Sequence, residues 1–203
     1  MPQTMGEMSS VLLIGWTSGI SLYLSVALAG ISARMHWISL PEGLNLLTHP
    51  LIIGLAIFLY AIEFFADKIP FVDSAWDSFH TFIRPGGAAV VGFLAGTQYG
   101  PLAQTALAVA TGSVALQIHA TKASARLAIN TSPEPFSNIA ASVTEHSLVI
   151  GLYWFFIKHP VLAVMTLIAL LILSFFILRL LWKFVRKVFH FIFGSKEKNI
   201  QSG

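Results

Sequence analysis

The stretch PLIIGLAIFLYAIEFFADKIPFVDSAWDSFHTFIRP, residues 50–85, changes character at its middle. Its first half is an apolar run approaching the roughly 20 residues that a helix needs to cross a hydrocarbon core of about 30 Å. From Glu63 onward it carries Glu63, Asp67, Asp73 and Asp77, four of the nine carboxylates in the chain. Charge beside a bilayer is costly unless it is paired or hydrated, so such a concentration marks a functional region.

The remainder of the chain agrees with a membrane setting. Of 203 residues, 56% are hydrophobic and 10% charged, and the mean hydropathy is +0.77. This composition predicts an all-α fold, a polytopic bundle of transmembrane helices. The absence of cysteine excludes disulfides, thiolate metal sites and cysteine nucleophiles. Of the twelve Lys and Arg residues, five fall between Lys183 and Lys198. Residues 183–203 therefore read as a basic amphipathic cytoplasmic tail on a helical domain of residues 1–182. Such a tail suits anionic lipid headgroups and not nucleic acid.

Helices are expected near residues 10–33, 50–66, 80–97, 101–118, 138–157 and 160–182. The third is interrupted by Arg84, Pro85, Gly86 and Gly87, which suggests a half-helix or a re-entrant segment. Six crossings with both termini cytoplasmic, in a bacterial inner membrane, place Lys68, Arg84, Lys122, Arg126 and the tail on the basic side and only Arg34 and Lys158 opposite. A weak inverted three-helix repeat is also expected. Ile31-Ser32-Ala33-Arg34 is echoed by Ala123-Ser124-Ala125-Arg126, and Pro41-Glu42 by Pro133-Glu134. A bundle this small is expected to need a second copy, a homo-oligomer, to enclose a pore.

Within the acidic block, Glu63 and Asp67 stand one helical turn apart and face the same way, able to share a proton or a cation. If a helix starts at Asp73, then Asp73, Asp77, His80 and Arg84 form one polar stripe opposite Trp76 and Phe79. Asp73, Asp77 and His80 offer oxygen and imidazole donors that suit a divalent cation. An interfacial amphipathic helix anchored by its aromatics is the structural alternative. No other cofactor is suggested.

The second block is basic. His119, Lys122 and Arg126 lie on one helical face, complementary in charge to the first block, so ion pairing that fixes helix register competes with ligand binding. Pro133-Glu134-Pro135 breaks the helix, Ser137 or Asn138 is a suitable cap for the next one, and Ser142 to Glu145 fits a capping box. The polar half of that span, with Asn138, Ser142, Glu145 and His146, is expected to line a cavity or face the bundle interior. The ion- or substrate-binding set is thus Glu63, Asp67, Asp73, Asp77, His80, Arg84, His119, Lys122, Arg126, Glu134, Asn138 and Glu145.

Glu63-Phe-Phe-Ala-Asp67-Lys68-Ile-Pro70 with Asp73, Trp76-Asp77 and Arg84-Pro85, and then His119, Lys122, Arg126 and Asn130 with Ser132-Pro133-Glu134-Pro135-Phe136-Ser137-Asn138, resemble a bacterial integral-membrane family of unknown function, the DUF4126 type. The resemblance covers roughly residues 10–160, including Ser18-Gly19 and Tyr23. It implies a helical inner-membrane protein and draws weight to these residues without assigning them an activity. An acidic pair is common in that family where this chain has Glu145-His146.

Taken together, the sequence points first to a small transporter or channel for an ion or small polar solute, coupled to protons or cations. The alternative is a non-catalytic membrane scaffold that binds lipid headgroups or a partner protein. No Gly-x-Ser-x-Gly turn, His-Glu-x-x-His pair or phosphate-binding glycine loop occurs, so no enzyme is expected.

Overall fold

Gly19, Ile20 and Ser21 interrupt what the sequence presents as a single first helix. In the computed structural model, which describes residues 3–131 and 135–200, the chain begins with α1 (Gln3–Ser18) and, after that break, α2 (Leu22–Arg34). The Ser21 hydroxyl caps α2 by accepting the Leu24 N–H, which satisfies one of the donors left open at a helix start. Gly19 is needed at the break: a Cβ there would come within 2.6 Å of the Ile118 side chain and 2.7 Å of the Ala115 carbonyl.

A 3-10 segment (Glu42–Thr48) leads into α3 (Pro50–Ala66), which opens with proline where no backbone N–H is missed. After a turn come α4 (Val72–Ala95), a short 3-10 turn (Thr97–Tyr99) and α5 (Pro101–Ile129). Gly100, at φ +89, supplies the left-handed residue between them. The chain continues through α6 (Pro135–Lys158) and α7 (Pro160–Ile200). All the described elements are helical.

Three helices, α5, α6 and the Pro160–Lys183 part of α7, are long and apolar enough to cross a membrane. The 3-10 segment and α3, bent by 66°, make a fourth if they count as one span. Against the six expected crossings, α1 and α2 are short pieces of 16 and 13 residues.

Several expectations need correction. α4 is continuous through Pro85, so the Arg84–Gly87 interruption produces no half-helix. Gly92 and Gly112 on facing helices let α5 lie against α4, and Thr111 donates to the Ala88 carbonyl at 2.7 Å, so packing outweighs the lost backbone bond. α5 runs on past Ile118 to Ile129, α6 starts at Pro135, and Ser142 and Glu145 lie inside α6, not at its cap. Glu134, with Ser132 and Pro133, lies outside the described residues. Arg84, Lys122 and Arg126 are buried, so the loop-charge argument for orientation loses three of its residues. The two arginines of the suggested repeat also differ: Arg34 is exposed, near the Thr48 carbonyl at 3.4 Å, whereas Arg126 is buried.

The apolar core gathers around α1, where Leu13 and Ile14 are fully buried among Leu44, Val149, Tyr153 and Leu167. Tyr153 donates to the Ser25 carbonyl at 2.9 Å, fastening α6 to α2, and Gln117 donates to the Leu171 carbonyl and the Ser174 hydroxyl, both at 2.9 Å, fastening α5 to α7. Phe79, Phe82, Leu102 and Phe136 are exposed while Glu63, Asp67 and Arg84 are buried, the inside-out arrangement suited to lipid.

Candidate functional site

Helical periodicity delivers the polar side chains to one place. The last turn of α3 supplies Glu63, and the turn after it supplies Asp67. The α4 stripe supplies Asp73, Asp77, His80 and Arg84, all buried. From α5 come His119, Lys122 and Arg126, and from α6 Asn138, Ser142, Glu145 and His146. The acidic and basic blocks thus meet inside the bundle.

Three cations organise the cluster. Arg84 donates to Glu63 at 2.6 Å, to Asp77 at 3.0 Å and to His119 Nδ1 at 2.8 Å. Lys122 donates to Asp67 at 2.7 Å and lies 3.7 Å from Asp77 and 3.4 Å from Glu145. Arg126 grips Glu145 through two bonds of 3.2 and 2.8 Å and turns its third nitrogen to the carbonyls of Asp67 and Asn138 and the Asn138 side chain. The planar guanidinium fits this forked contact as an ammonium would not. Asn130 completes the edge, donating to Asp73 at 2.9 Å and accepting from Asn138 at 2.8 Å.

The α1–α2 break belongs to the same cluster. Ser21 donates to Glu63, and Lys122 donates to the Ile20 carbonyl at 3.3 Å. A broken helix in an apolar setting leaves carbonyls without partners, and these survive only against protein donors or water. Here a buried lysine is the donor.

Hydrogen-bond logic sets the histidines. A guanidinium can only donate, so His119 Nδ1 accepts and the ring is neutral, its Nε2–H facing the Asp77 carbonyl at 3.1 Å. His80 Nδ1 donates to the Trp76 carbonyl at 2.8 Å, its Nε2 meets the Tyr23 hydroxyl at 3.0 Å, and Trp76 stacks on its ring. His146 packs against Tyr60 and Phe64, with Nε2 3.9 Å from Asp67.

With His119 neutral, five carboxylates (Glu63, Asp67, Asp73, Asp77, Glu145) face three fixed cations (Arg84, Lys122, Arg126). Half-buried Lys68, bonded to the Phe64 carbonyl and Ser142, offsets at most one of the two missing charges. Burial pushes the Asp67 carboxyl up, but Lys122, Arg84 and Arg126 outweigh it and hold the group below its ordinary range, so it is an anion at neutral pH. Asp67 Oδ1 and Asp77 Oδ2 are nonetheless buried without a hydrogen-bond donor, as is His146 Nε2 without a partner.

Two grooves flank α5. One of about 550 Å³ is lined by Thr81, His119, Phe175 and Trp182. The other, about 200 Å³, is lined by Trp16, Ile20, Lys122, Glu145 and Leu173. His119 and Lys122, one turn apart, therefore border different spaces.

The structure brings together every described residue of the expected binding set. It does not assemble the expected divalent site. Asp73 turns to Asn130, Asp77 to Arg84, and His80 to Tyr23 and Trp76. Among the described residues, no group of three His, Asp or Glu is placed to hold a metal ion. Sequence reasoning gave no binding role to Ser21, Tyr23 or His146. For Ser21 the available signal was the Ser18-Gly19 pair within an apolar run, a common place for a helix to break.

A family model described as Domain of unknown function (DUF4126) matches residues 8–180. No curated protein and no solved structure matches the chain.

Proposed function

We propose that this chain, which belongs to the DUF4126 family, a domain of unknown function, is a small integral-membrane carrier that moves a cation or a proton-coupled polar solute through its buried charge cluster. The observation that carries this reading is the charge balance of the buried cluster: five carboxylates against Arg84, Lys122, Arg126 and the half-buried Lys68, with buried oxygens on Asp67 and Asp77 left without donors. Uncompensated negative charge in a low-dielectric interior attracts a proton or a cation strongly. Broken helices near the membrane midplane, with freed carbonyls beside carboxylates, are a recurrent way to bind coupling ions.

In this reading α1 and α2 form one broken span, and α3, α4, α5, α6 and α7 complete six crossings, with both termini cytoplasmic in an inner membrane. Lys122 is the movable cation that links Asp67, Asp77 and Glu145. In proteoliposomes holding a pH-sensitive dye, Glu63→Gln and Asp67→Asn should each abolish cation-dependent proton flux while the purified variants elute as the wild type does. Wild-type flux in both folded variants overturns the reading.

A second reading, a non-transporting scaffold, is favoured by the closure of the cluster. Arg126 spends all three guanidinium nitrogens on α6 and the α3–α4 turn. A wild-type protein that folds in the bilayer and supports no flux of protons, monovalent cations or small amines would decide for it.

A further inference from the structure

Gln117 and Thr121 fix the register of α5 against α7. Gln117 donates to the Leu171 carbonyl and the Ser174 hydroxyl, both at 2.9 Å, and Thr121 to the Ser174 carbonyl at 3.3 Å. Beyond these bonds the two helices run side by side and line one groove with residues at helical spacing, Leu116, Ala120, Ala123 and Leu127 from α5 and Phe175, Leu178, Arg179 and Trp182 from α7. The middle of the α5 stripe is alanine, too short to fill the gap, and a space of about 550 Å³ remains.

The groove is graded in polarity. Thr81 and His119 lie at the Phe175 end, beside the Gln117 clamp. Arg179 and Trp182 lie toward the other end, close to Lys183, where the apolar span of α7 stops. Arg179 is the one charged residue among those that line the groove. It is exposed, as are Lys183 and Arg186 one and two turns further along the same face, and none of the three makes an ion pair among the described residues. The buried carboxylates are engaged elsewhere, by Arg84, Lys122 and Arg126.

A bilayer offers one kind of molecule with this gradient. An acyl chain suits the alanine floor, and a phosphate suits a guanidinium, whose forked N–H groups match its oxygens. From one turn inside the end of the span, a long arginine side chain reaches the headgroup level. The exposed Trp182 brings an indole N–H to the depth of the glycerol esters. Positive charge without a carboxylate partner favours a headgroup of net negative charge over a zwitterionic one.

We propose that the α5–α7 groove is a binding site for an anionic phospholipid, its phosphate on Arg179, its glycerol backbone beside Trp182 and one acyl chain along Ala123 and Ala120 toward Phe175. This site goes beyond the carrier reading and does not depend on it.

The test uses the full chain in nonionic detergent micelles, titrated with phosphatidylglycerol or phosphatidylcholine brominated on the acyl chains. Tryptophan quenching is followed, and the difference from Trp182→Phe gives the share of Trp182. Phosphatidylglycerol should quench Trp182 saturably and bind roughly fivefold tighter than phosphatidylcholine, the step expected for one cationic side chain at an anionic headgroup. Arg179→Gln should remove that preference, whereas Arg186→Gln, on the same face but outside the groove, should keep it. Ala123→Phe fills the groove and leaves every charge in place, so it should remove saturable quenching by either lipid. Should that variant fail to fold, Arg179→Gln, at an exposed position, carries the test. No saturable quenching in the wild type, equal affinity for the two lipids, or saturable quenching in folded Ala123→Phe overturns the proposal. So does an equal loss of preference in Arg179→Gln and Arg186→Gln, which would mean diffuse attraction to a basic helix, and so does a wild-type preference in Arg179→Gln. Quenching that falls as protein concentration rises at fixed lipid would put a second copy of the chain in the groove, and overturns it too.

Discussion

Arg126 is the residue on which most of the cluster's geometry converges, and its removal is correspondingly expensive. Truncating one partner of a buried ion pair leaves the other charge uncompensated, at a cost of about 3–5 kcal/mol. For Arg126→Met the lower end, about 3 kcal/mol, is expected, because the Glu145 side chain keeps 18% exposure and some contact with solvent. Adding Glu145→Gln to Arg126→Met should recover part of the loss, since it removes the stranded carboxylate. Chemical unfolding of the two single variants and the double variant measures this, and simple additivity would count against direct pairing. At this scale the sequence was informative about which side chains matter and silent about how they pair. The spacing of Asp73, Asp77 and His80 put them on one stripe, and the stripe is real. Neighbouring helices then drew them apart, Asp73 to Asn130 and Asp77 to Arg84, because partner choice depends on which face of α5 lies opposite.

At the level of helices, legibility followed the strength of the local signal. The α3 boundary at residue 66 and the turn at Gly100-Pro101 were readable because apolar runs end there in charge or in glycine and proline. The α1–α2 break was marked only by the Ser18-Gly19 pair, since no proline stands there and its cause lies across the bundle, where Ile118 and Ala115 of α5 press on Gly19. Pro85 misled in the opposite direction, because the α4–α5 contact holds a helix that proline alone would end. Gly19→Val should therefore destabilise the protein by about 1–3 kcal/mol through overpacking and shift the Ile20 carbonyl from Lys122. Gly54→Ala, at a site where an added Cβ meets nothing within 4 Å, is the control and should hold or slightly raise the melting temperature. Equal melts for the two variants would show that the close approach at the break carries no energetic weight.

Over the whole molecule, the all-helical fold followed from composition and the inward-facing polarity from the spacing of the charged residues, whereas three helices, or four spans with the bent pair, are long and apolar enough to cross a membrane, against the six expected. Charges that looked like loop markers turned out to be interior. Arg84, Lys122 and Arg126 are paired with carboxylates. We propose that the basic stretch from Lys183 onward acts apart from the bundle. Among the α7 residues whose burial is described, the buried ones, Ala163, Leu167 and Ser174, all precede Lys183. Truncation after Lys183 should leave the bundle's melting temperature in neutral nanodiscs unchanged. It should also abolish most of the extra stability gained from anionic lipid, at about 1 kcal/mol per lost Lys or Arg near the surface. Unequal melts in neutral lipid would mean the far end packs on the bundle after all. α5 itself, at 29 residues, rises about 43 Å, some 13 Å more than a typical hydrocarbon core. The excess must appear as lean or as about two and a half turns standing clear of the acyl chains, and Arg126 occupies the terminal turn. Bilayer thickness would then decide whether that end of α5 stands among acyl chains or among headgroups.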